Sequence, residues 1–246
     1  MSFAFVVGGQ KHTRETDGTM KYAATALPAL MLIGASAHAS IVIDNFDTGV
    51  TNLELNTVSS SSQTANGNPG DIIGGDRDVE LTVLSTTGLS ASVNANPPAG
   101  VLAWSNASQV QSTAMLTWDD GGGLGGRDLT EGGASDAILM ELIEIDLTAE
   151  LTFSVTDTAV GLSSLVLSGL APGELKFGFS SFTGSADFAS VDSISLTFAG
   201  PSAVDAVVDL VATSTVNVPE PSTIATLGIG LAGMGFMRKR AQKKNA

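Results

Sequence analysis

Short runs in which apolar and small polar residues alternate recur along the middle of the chain and constrain its fold more than any other feature. The clearest runs are 79–83, 151–156 and 193–198, where every second residue is Val, Leu, Ile or Phe. A period of two places apolar side chains on one face of a β-strand and polar side chains on the other. These runs therefore predict strands with one face in a core and one face in water.

Further strands and the turns between them predict the fold class. Strands are expected in the runs 41–46, 89–93, 101–104, 115–118, 162–167, 177–179 and 204–211. Residues 138–145 fit either a central strand or a short helix, and the Ser-rich run 59–64 is predicted as a flexible loop. Gly, Asn, Asp and Pro clusters at 66–70 and 119–123 are typical of turns. About ten short strands at this spacing predict an all-β fold, a β-sandwich of the jelly-roll type.

The last 29 residues combine three unlike features in a fixed order. Pro219-Glu220-Pro221 comes first, the uncharged apolar run 224–237 follows, and the basic residues Arg238, Lys239 and Arg240 come next. With its flanking residues, the apolar run approaches the roughly 20 residues that a membrane-spanning helix needs. Basic residues stay on the cytoplasmic side of a membrane and stop transfer there. The pattern predicts one transmembrane helix, with an extended Pro-Glu-Pro segment at the outer face of the inner membrane.

This segment resembles the PEP-CTERM sorting domain, which exosortase recognises in Gram-negative bacteria that make extracellular polysaccharide. Pro219, Glu220 and Pro221 match the motif of that family residue by residue. Similar tails are also catalogued as an ice-binding protein C-terminal domain, a label that implies nothing about ice. The resemblance implies exosortase as a partner, transient residence in the inner membrane, and delivery to the cell surface or extracellular matrix. An ordinary single-pass anchor is the alternative.

A second export signal precedes the middle region. The apolar run 23–35 is followed by Ala37-His38-Ala39, a small-x-small site at which signal peptidase would cut before Ser40. The residues before Met20 do not fit a leader, so we expect translation to start at Met20, with a long leader as the alternative. Signal peptidase and the Sec export machinery are therefore predicted partners.

The two signals divide the chain into four predicted parts. These are a leader at 1–39, a β-sandwich ectodomain at 40–211, a linker at 212–218 and the sorting signal at 219–246. Residues 40–218 contain 22 acidic and three basic residues. So acidic a surface repels nucleic acid and anionic lipid, and it attracts divalent cations. No nucleic-acid partner is expected.

The residue types that are missing exclude most kinds of catalysis. The chain has no Cys, and both histidines, His12 and His38, precede the expected cleavage site. The exported part therefore lacks disulfides, thiolate chemistry, imidazole zinc sites and His-based triads. A hydrolase would have to use two carboxylates, and clustered candidates are Glu141, Glu144, Asp146 and Glu150. In a strand Glu144 and Asp146 would share a face, whereas in a helix Glu141 and Glu144 would.

Ligand-binding and metal candidates lie near predicted turns. Gly-Gly-Asp-Arg-Asp-Val at 74–79 and Gly-Gly-Arg-Asp-Leu at 125–129 echo each other. Arg77 and Arg127 either face one ligand, such as an acidic sugar, or pair separately with local carboxylates. Trp118 is a candidate platform for a sugar ring, with a place in the core as the alternative. Oxygen ligands for a structural calcium ion are available from Asp44, Asp47, Asp119 and Asp120.

These features favour an exported, exosortase-processed, non-catalytic surface or matrix protein associated with exopolysaccharide. One alternative is a calcium-assisted carbohydrate-binding module. The other is a secreted glycoside hydrolase that uses a pair of carboxylates. No cofactor is expected beyond the calcium ion.

Overall fold

Two antiparallel sheets pack against each other across one apolar core in the computed structural model, which describes residues 40–95 and 100–216. Fourteen strands are present in those two ranges. In chain order they are β1 (Val42–Asp44), β2 (Thr51–Leu55), β3 (Ser60–Asn66), β4 (Asp76–Ser85), β5 (Ala91–Ala95), β6 (Leu102–Asn106), β7 (Gln111–Trp118), β8 (Ala137–Ile145), β9 (Glu150–Asp157), β10 (Leu162–Ser168), β11 (Gly173–Gly178), β12 (Thr183–Gly184), β13 (Val191–Ala199) and β14 (Asp205–Ser214). Short 3₁₀ turns lie at Ile73–Gly75, Glu131–Gly133 and Phe179–Ser181.

Each sheet contains seven strands, and the chain crosses between the sheets many times. Sheet A has the order β11-β8-β14-β6-β5-β2, and β1 also pairs with β14. Sheet B has the order β12-β10-β9-β13-β7-β4-β3. Most neighbours are thus distant in sequence, as in the Greek-key connections of jelly rolls. The predicted all-β sandwich is confirmed.

The inward-facing apolar residues of both sheets form the core. Two aromatic pairs join the sheets. The ring centroids of Trp104 in sheet A and Phe198 in sheet B lie 5.7 Å apart. Those of Phe177 in sheet A and Phe153 in sheet B lie 5.6 Å apart. Such tilted pairs add about 0.5–1.5 kcal/mol each beyond the burial of their area, so they help to hold the two sheets together.

Two local expectations are resolved by long-range pairing. Residues 137–145 form a strand, β8, because β11 and β14 pair with its two edges. The prediction of a flexible loop at 59–64 is wrong. Most of this run lies in β3, whose backbone pairs with β4 from Ser60 to Asn66. Strand pairing overrides the weak local preference of serine for either state.

The folded domain continues beyond its predicted boundary at residue 211. Strand β14 runs to Ser214, because the Thr213 N–H donates to the Ile41 carbonyl at 2.8 Å and the Ile41 N–H donates to Thr213 Oγ1 at 2.7 Å. The Val216 N–H donates to Asp136 Oδ1 at 2.6 Å. Three residues of the predicted linker 212–218 therefore belong to the last strand.

The two expected export signals are not covered by the structure. The predicted leader 1–39 and the predicted sorting signal 219–246, including the run predicted to form a transmembrane helix and the basic residues after it, lie outside the described residues. Within the described residues, no helix is long and apolar enough to cross a membrane.

Candidate functional site

A buried ionic cluster joins three of the residues that were predicted to bind ligands or metal. Arg77 Nη1 donates to Asp44 Oδ2 at 2.6 Å, and Trp118 Nε1 donates to the same oxygen at 2.8 Å. The Phe46 N–H donates to Asp44 Oδ1 at 2.8 Å. All four residues are fully buried. The side chains of Asp44, Arg77 and Trp118 thus bond to one another inside the core.

Arg77 connects four strands at this end of the sandwich. It lies on β4, and besides its contact with Asp44 on β1 it donates from Nη2 to the Gly49 carbonyl at 2.6 Å and to Thr51 Oγ1 on β2 at 3.3 Å. Its guanidinium carbon lies 5.1 Å from the centroid of the Phe46 ring. Trp118 adds β7 through its bond to Asp44. The arginine therefore holds the fold together and leaves no surface for a ligand.

The electrostatics of Asp44 explain why Arg77 is needed there. Burial raises the pKa of the Asp44 carboxyl, while the charge of Arg77 and the hydrogen bonds from Arg77, Trp118 and Phe46 lower it. A buried carboxylate without such partners would be very costly. The calcium role predicted for Asp44 would require breaking this pair. Trp118 lies in the core, which was the alternative to its predicted role as a platform for a sugar ring.

Arg127 is exposed, whereas Arg77, at the matching position of the other Gly-Gly motif, is buried. Asp47, the second residue of the predicted Asp44/Asp47 calcium pair, is also exposed, whereas Asp44 is buried. The backbone of Arg127 forms an isolated bridge with Val191, with N–H to carbonyl distances of 2.8 and 2.9 Å. The Gly-Gly-Arg-Asp echo therefore places one arginine in the core and the other on a loop. The two arginines do not present a shared pair of guanidinium groups to one ligand.

Asp119 and Asp120 belong to an acidic loop that follows β7. Burial raises the pKa of Asp76, and the negative charges of Asp78, Asp119 and Asp120 raise it further. The loop passes close to Gly74, where a Cβ atom would lie 2.8 Å from the Cβ of Asp120. In residues 40–95 and 100–216, no three acidic side chains are arranged to hold a metal ion.

The acids proposed for a hydrolase are divided between the two sheets. Glu141 and Glu144 are exposed on β8 in sheet A, whereas Glu150 lies on β9 in sheet B. Alternation in β8 is interrupted because Ile143 is an extra residue that forms a bulge opposite β14, which leaves both glutamates on the solvent side. Asp146 Oδ1 accepts the Asp205 N–H at 2.5 Å and so closes a strand end.

The outward face of sheet B is a surface that was not predicted from the sequence. One row of side chains crosses all seven strands, and six of its seven members carry a hydroxyl group. In sheet order the row is Thr183, Ser164, Ser154, Ser195, Thr117, Asp78 and Thr64. Alternating Ser and Thr at 152–156 and 193–197 was a visible signal, but the register between strands was needed to assemble the row.

Two further rows extend this surface. They are Val166, Thr152, Thr197, Met115, Glu80 and Ser62, followed by Ser168, Glu150, Ala199, Thr113, Thr82 and Ser60. We call the three rows together the hydroxyl face. Neighbouring strands lie about 4.8 Å apart, and rows two residues apart are separated by roughly 6.7 Å along a strand. The hydroxyl face carries three carboxylates and neither a basic nor an aromatic side chain.

An open depression of about 290 Å³ lies at one end of the hydroxyl face. Thr113, Glu150 and Ala199 of the third row form part of its lining, together with Gln111 and Thr148. Leu84 supplies an apolar wall. The depression therefore adds amide, hydroxyl and carboxylate groups at the edge of a regular polar surface.

The described residues define an acidic β-sandwich, and the chain beyond them carries a sorting signal. Residues 217–240 match the family model described as the PEP-CTERM protein-sorting motif. The predicted resemblance to that sorting domain is thereby confirmed, and the motif marks the chain for export and membrane-anchored sorting. No curated protein matches the chain.

Several solved structures are similar to the chain at low sequence identity. A family 11 carbohydrate-binding module of the cellulase Lic26A-Cel5E of Clostridium thermocellum is 13% identical, with a TM-score of 0.40 over 75% of this chain and 99% of that one. A family 11 module from Clostridium thermocellum in complex with a β-1,3-1,4-mixed-linked tetrasaccharide is also 13% identical, with a TM-score of 0.38 over 73% and 98%. The CBM22-1–GH10 modules of xylanase 10B from Clostridium thermocellum are 13% identical, with a TM-score of 0.29 over 74% and 30%.

Proposed function

We propose that the protein is an exosortase substrate whose β-sandwich domain is delivered to the cell surface or extracellular matrix of a Gram-negative bacterium, where it has a non-catalytic role in association with exopolysaccharide. The match of residues 217–240 to the sorting motif carries this proposal. The leader predicted at 1–39, with a predicted cleavage site before Ser40, supports export through the Sec machinery and signal peptidase.

The position of the motif relative to the folded domain fits this role. The Val216 N–H is bound to Asp136, and only Asn217 and Val218 separate Val216 from Pro219. The three residue steps from Val216 to Pro219 extend the chain by at most about 11 Å. The sandwich therefore ends immediately before the segment that exosortase would process, and processing there would release the domain whole.

The charge of the domain favours its departure from the membrane. Residues 40–218 contain 22 acidic and three basic residues. A protein with such an excess of negative charge is repelled by anionic lipid headgroups once its anchor has been removed. This charge, together with the predicted removable anchor, supports transient residence in the inner membrane followed by release.

A non-catalytic role is supported by the chemistry of the described domain. Residues 40–95 and 100–216 contain neither Cys nor His. Of the acids considered for a hydrolase, Glu150 lies on a different sheet from Glu141 and Glu144, and Asp146 is engaged at a strand end. This chemistry favours structural support or binding over hydrolysis.

The sorting proposal is tested by replacing Pro219, Glu220 and Pro221 with alanine. We expect most of the protein to remain in the membrane fraction with its anchor attached, because the processing enzyme loses the extended segment that it recognises. Cell fractionation and immunoblotting report the distribution. The control replaces the adjacent Ser222 and Thr223 with alanine and should leave release unchanged. Normal release of the triple variant would refute the proposal.

A calcium-assisted carbohydrate-binding module is the second candidate function. The observation that favours it is that the negative charges of Asp78, Asp119 and Asp120 add to burial in raising the pKa of Asp76, a repulsion that a divalent cation would relieve. Since no three acidic side chains of residues 40–95 and 100–216 are arranged to hold a metal ion, this candidate requires the loop after β7 to rearrange around the cation. This candidate needs the metal for glycan binding. Measuring the glycan binding described below in calcium and in EDTA separates it from the first proposal.

A further inference from the structure

We propose that the hydroxyl face of sheet B, with the depression at its end, binds an uncharged polysaccharide through hydrogen bonds. This inference rests on the proposed function, which brings the domain into contact with extracellular polysaccharide. It names a binding surface and a class of ligand that the sorting motif does not specify.

The central hydroxyl groups are available to a ligand. Six of them, on β9, β13 and β7, have no side-chain hydrogen bond to another described residue, although each side chain is partly exposed. They are Ser154, Thr152, Ser195, Thr197, Thr117 and Thr113. At the β3–β4 edge of the sheet several hydroxyls are already engaged, since Ser60 bonds to Thr82 at 2.8 Å and Thr64 donates to Asp78 at 2.5 Å. The available hydroxyls therefore lie mainly on the middle three strands and towards β10 and β12.

The charge and composition of the face indicate the chemistry of the ligand. Asp78, Glu80 and Glu150 are its charged residues, so a polyanion would be repelled. In the absence of aromatic side chains in the three rows, affinity must come from hydrogen bonds instead of ring stacking. Each Ser or Thr hydroxyl both donates and accepts, as sugar hydroxyls do. An uncharged glycan is not repelled by the carboxylates, binds through hydrogen bonds, and carries hydroxyls that both donate and accept.

The regular geometry suits a repeating ligand. Rows and strands set the hydroxyls on a lattice with spacings of about 4.8 and roughly 6.7 Å. A polymer with a repeating hydroxyl pattern can bond at several lattice points at once, and such multivalency strengthens binding without any single strong contact. The 290 Å³ depression is close to the lower limit of about 300 Å³ for small-ligand pockets and offers Gln111, Thr113 and Glu150 to one sugar residue.

The opposite sheet provides an internal comparison. A row on the outward side of sheet A consists of Glu144, Val207, Ala103, Asn94 and Asn52, none of which carries a hydroxyl. The abundance of Ser and Thr in the chain therefore does not by itself produce a hydroxyl face. The adjacent row of sheet A, formed by Asp205, Ser105, Ser92 and Glu54, has two hydroxyls, so hydroxyls are more concentrated on the outward face of sheet B.

The inference is tested with the full-length protein in detergent micelles. The probes are mixed-linkage β-glucan and dextran, both uncharged, and alginate, a polyanion. The test variant replaces Ser154 and Ser195, which pair across β9 and β13, with alanine. The matched control replaces Ser92 and Ser105, which pair across β5 and β6 in sheet A, with alanine.

We expect the wild-type protein to bind at least one uncharged glycan more tightly than alginate. The loss of two hydrogen-bonding groups should weaken that binding about tenfold in the Ser154/Ser195 variant, and the Ser92/Ser105 control should bind like wild type. Thermal unfolding of both variants verifies that they are folded. Three results would overturn the inference: no binding to either uncharged glycan, tighter binding to alginate, or an equal loss in both variants.

The binding assay uses purified protein and is therefore independent of sorting. Normal release from cells without glycan binding overturns only the hydroxyl-face inference. Glycan binding without motif-dependent release overturns only the proposed sorting function.

Discussion

Replacing Arg77 with alanine should lower the free energy of unfolding by about 3–5 kcal/mol, since it leaves a buried carboxylate without its partner. Asp44 and Arg77 are both fully buried and 2.6 Å apart. The variant also removes the donor to the Gly49 carbonyl on the adjoining loop. Urea unfolding of the variant and the wild type at neutral pH measures the difference.

The loss of unfolding free energy in the Arg77→Ala variant should depend on pH, because Asp44 titrates. Burial raises the pKa of this carboxyl, so the folded state binds its proton more readily than the unfolded chain does. A raised folded pKa contributes stability below the unfolded value of about 3.9 and loses it as the pH rises. Without the opposing charge of Arg77 this effect grows. The cost of the Arg77→Ala change should therefore be smallest near pH 4 and largest at neutral pH.

Arg127→Ala is the matched control for this prediction. Arg127 is exposed, and its described contacts are made by its backbone. Its replacement should change stability by no more than about 0.5 kcal/mol. Equal and small effects of the two arginine variants would show that the buried pair does not hold the four strands together.

Trp118→Ala should also destabilise the domain strongly, by about 3–5 kcal/mol, because it removes a fully buried ring and leaves a cavity. Trp118→Phe keeps an aromatic ring but removes the donor to Asp44, and it should cost about 1–3 kcal/mol. Urea unfolding can be followed by the fluorescence of the remaining Trp104.

The control lies on the same strand. Met115 is on β7 with Trp118, but it faces outward and is 38% exposed. Met115→Ala should have a small effect, since little apolar surface is lost from the core. If Trp118→Ala and Met115→Ala lowered the free energy of unfolding by the same small amount, the indole would not contribute to the core. A role for Trp118 as a sugar platform would then be favoured again.

Local patterns in the sequence predicted the fold class because strand geometry is itself local. The alternation at 151–156 and 193–198 has the period of a strand, and both runs lie in strands whose alternate residues are buried. The strand at 60–66 was missed because its Ser-rich composition favours no regular structure by itself. Its pairing with β4 depends on the partner strand, which a local pattern does not reveal.

The candidate sites depended on contacts between residues far apart in the chain. Trp118 and Asp44 are separated by 74 positions, so the sequence singled out each of them but not the bond between them. The hydroxyl face likewise requires the register of seven strands. The sorting motif differs from both because its residues are contiguous, so the sequence alone is enough to identify it.

The sorting of this chain is tested most directly by mapping, by mass spectrometry, the termini of the protein recovered from outside the cells. We expect an amino terminus at Ser40 and a carboxyl terminus near Pro219-Glu220-Pro221, with no peptide from the apolar run 224–237. A polypeptide that retains both the leader and the apolar run and is dissolved in the cytosol would contradict processing at both ends.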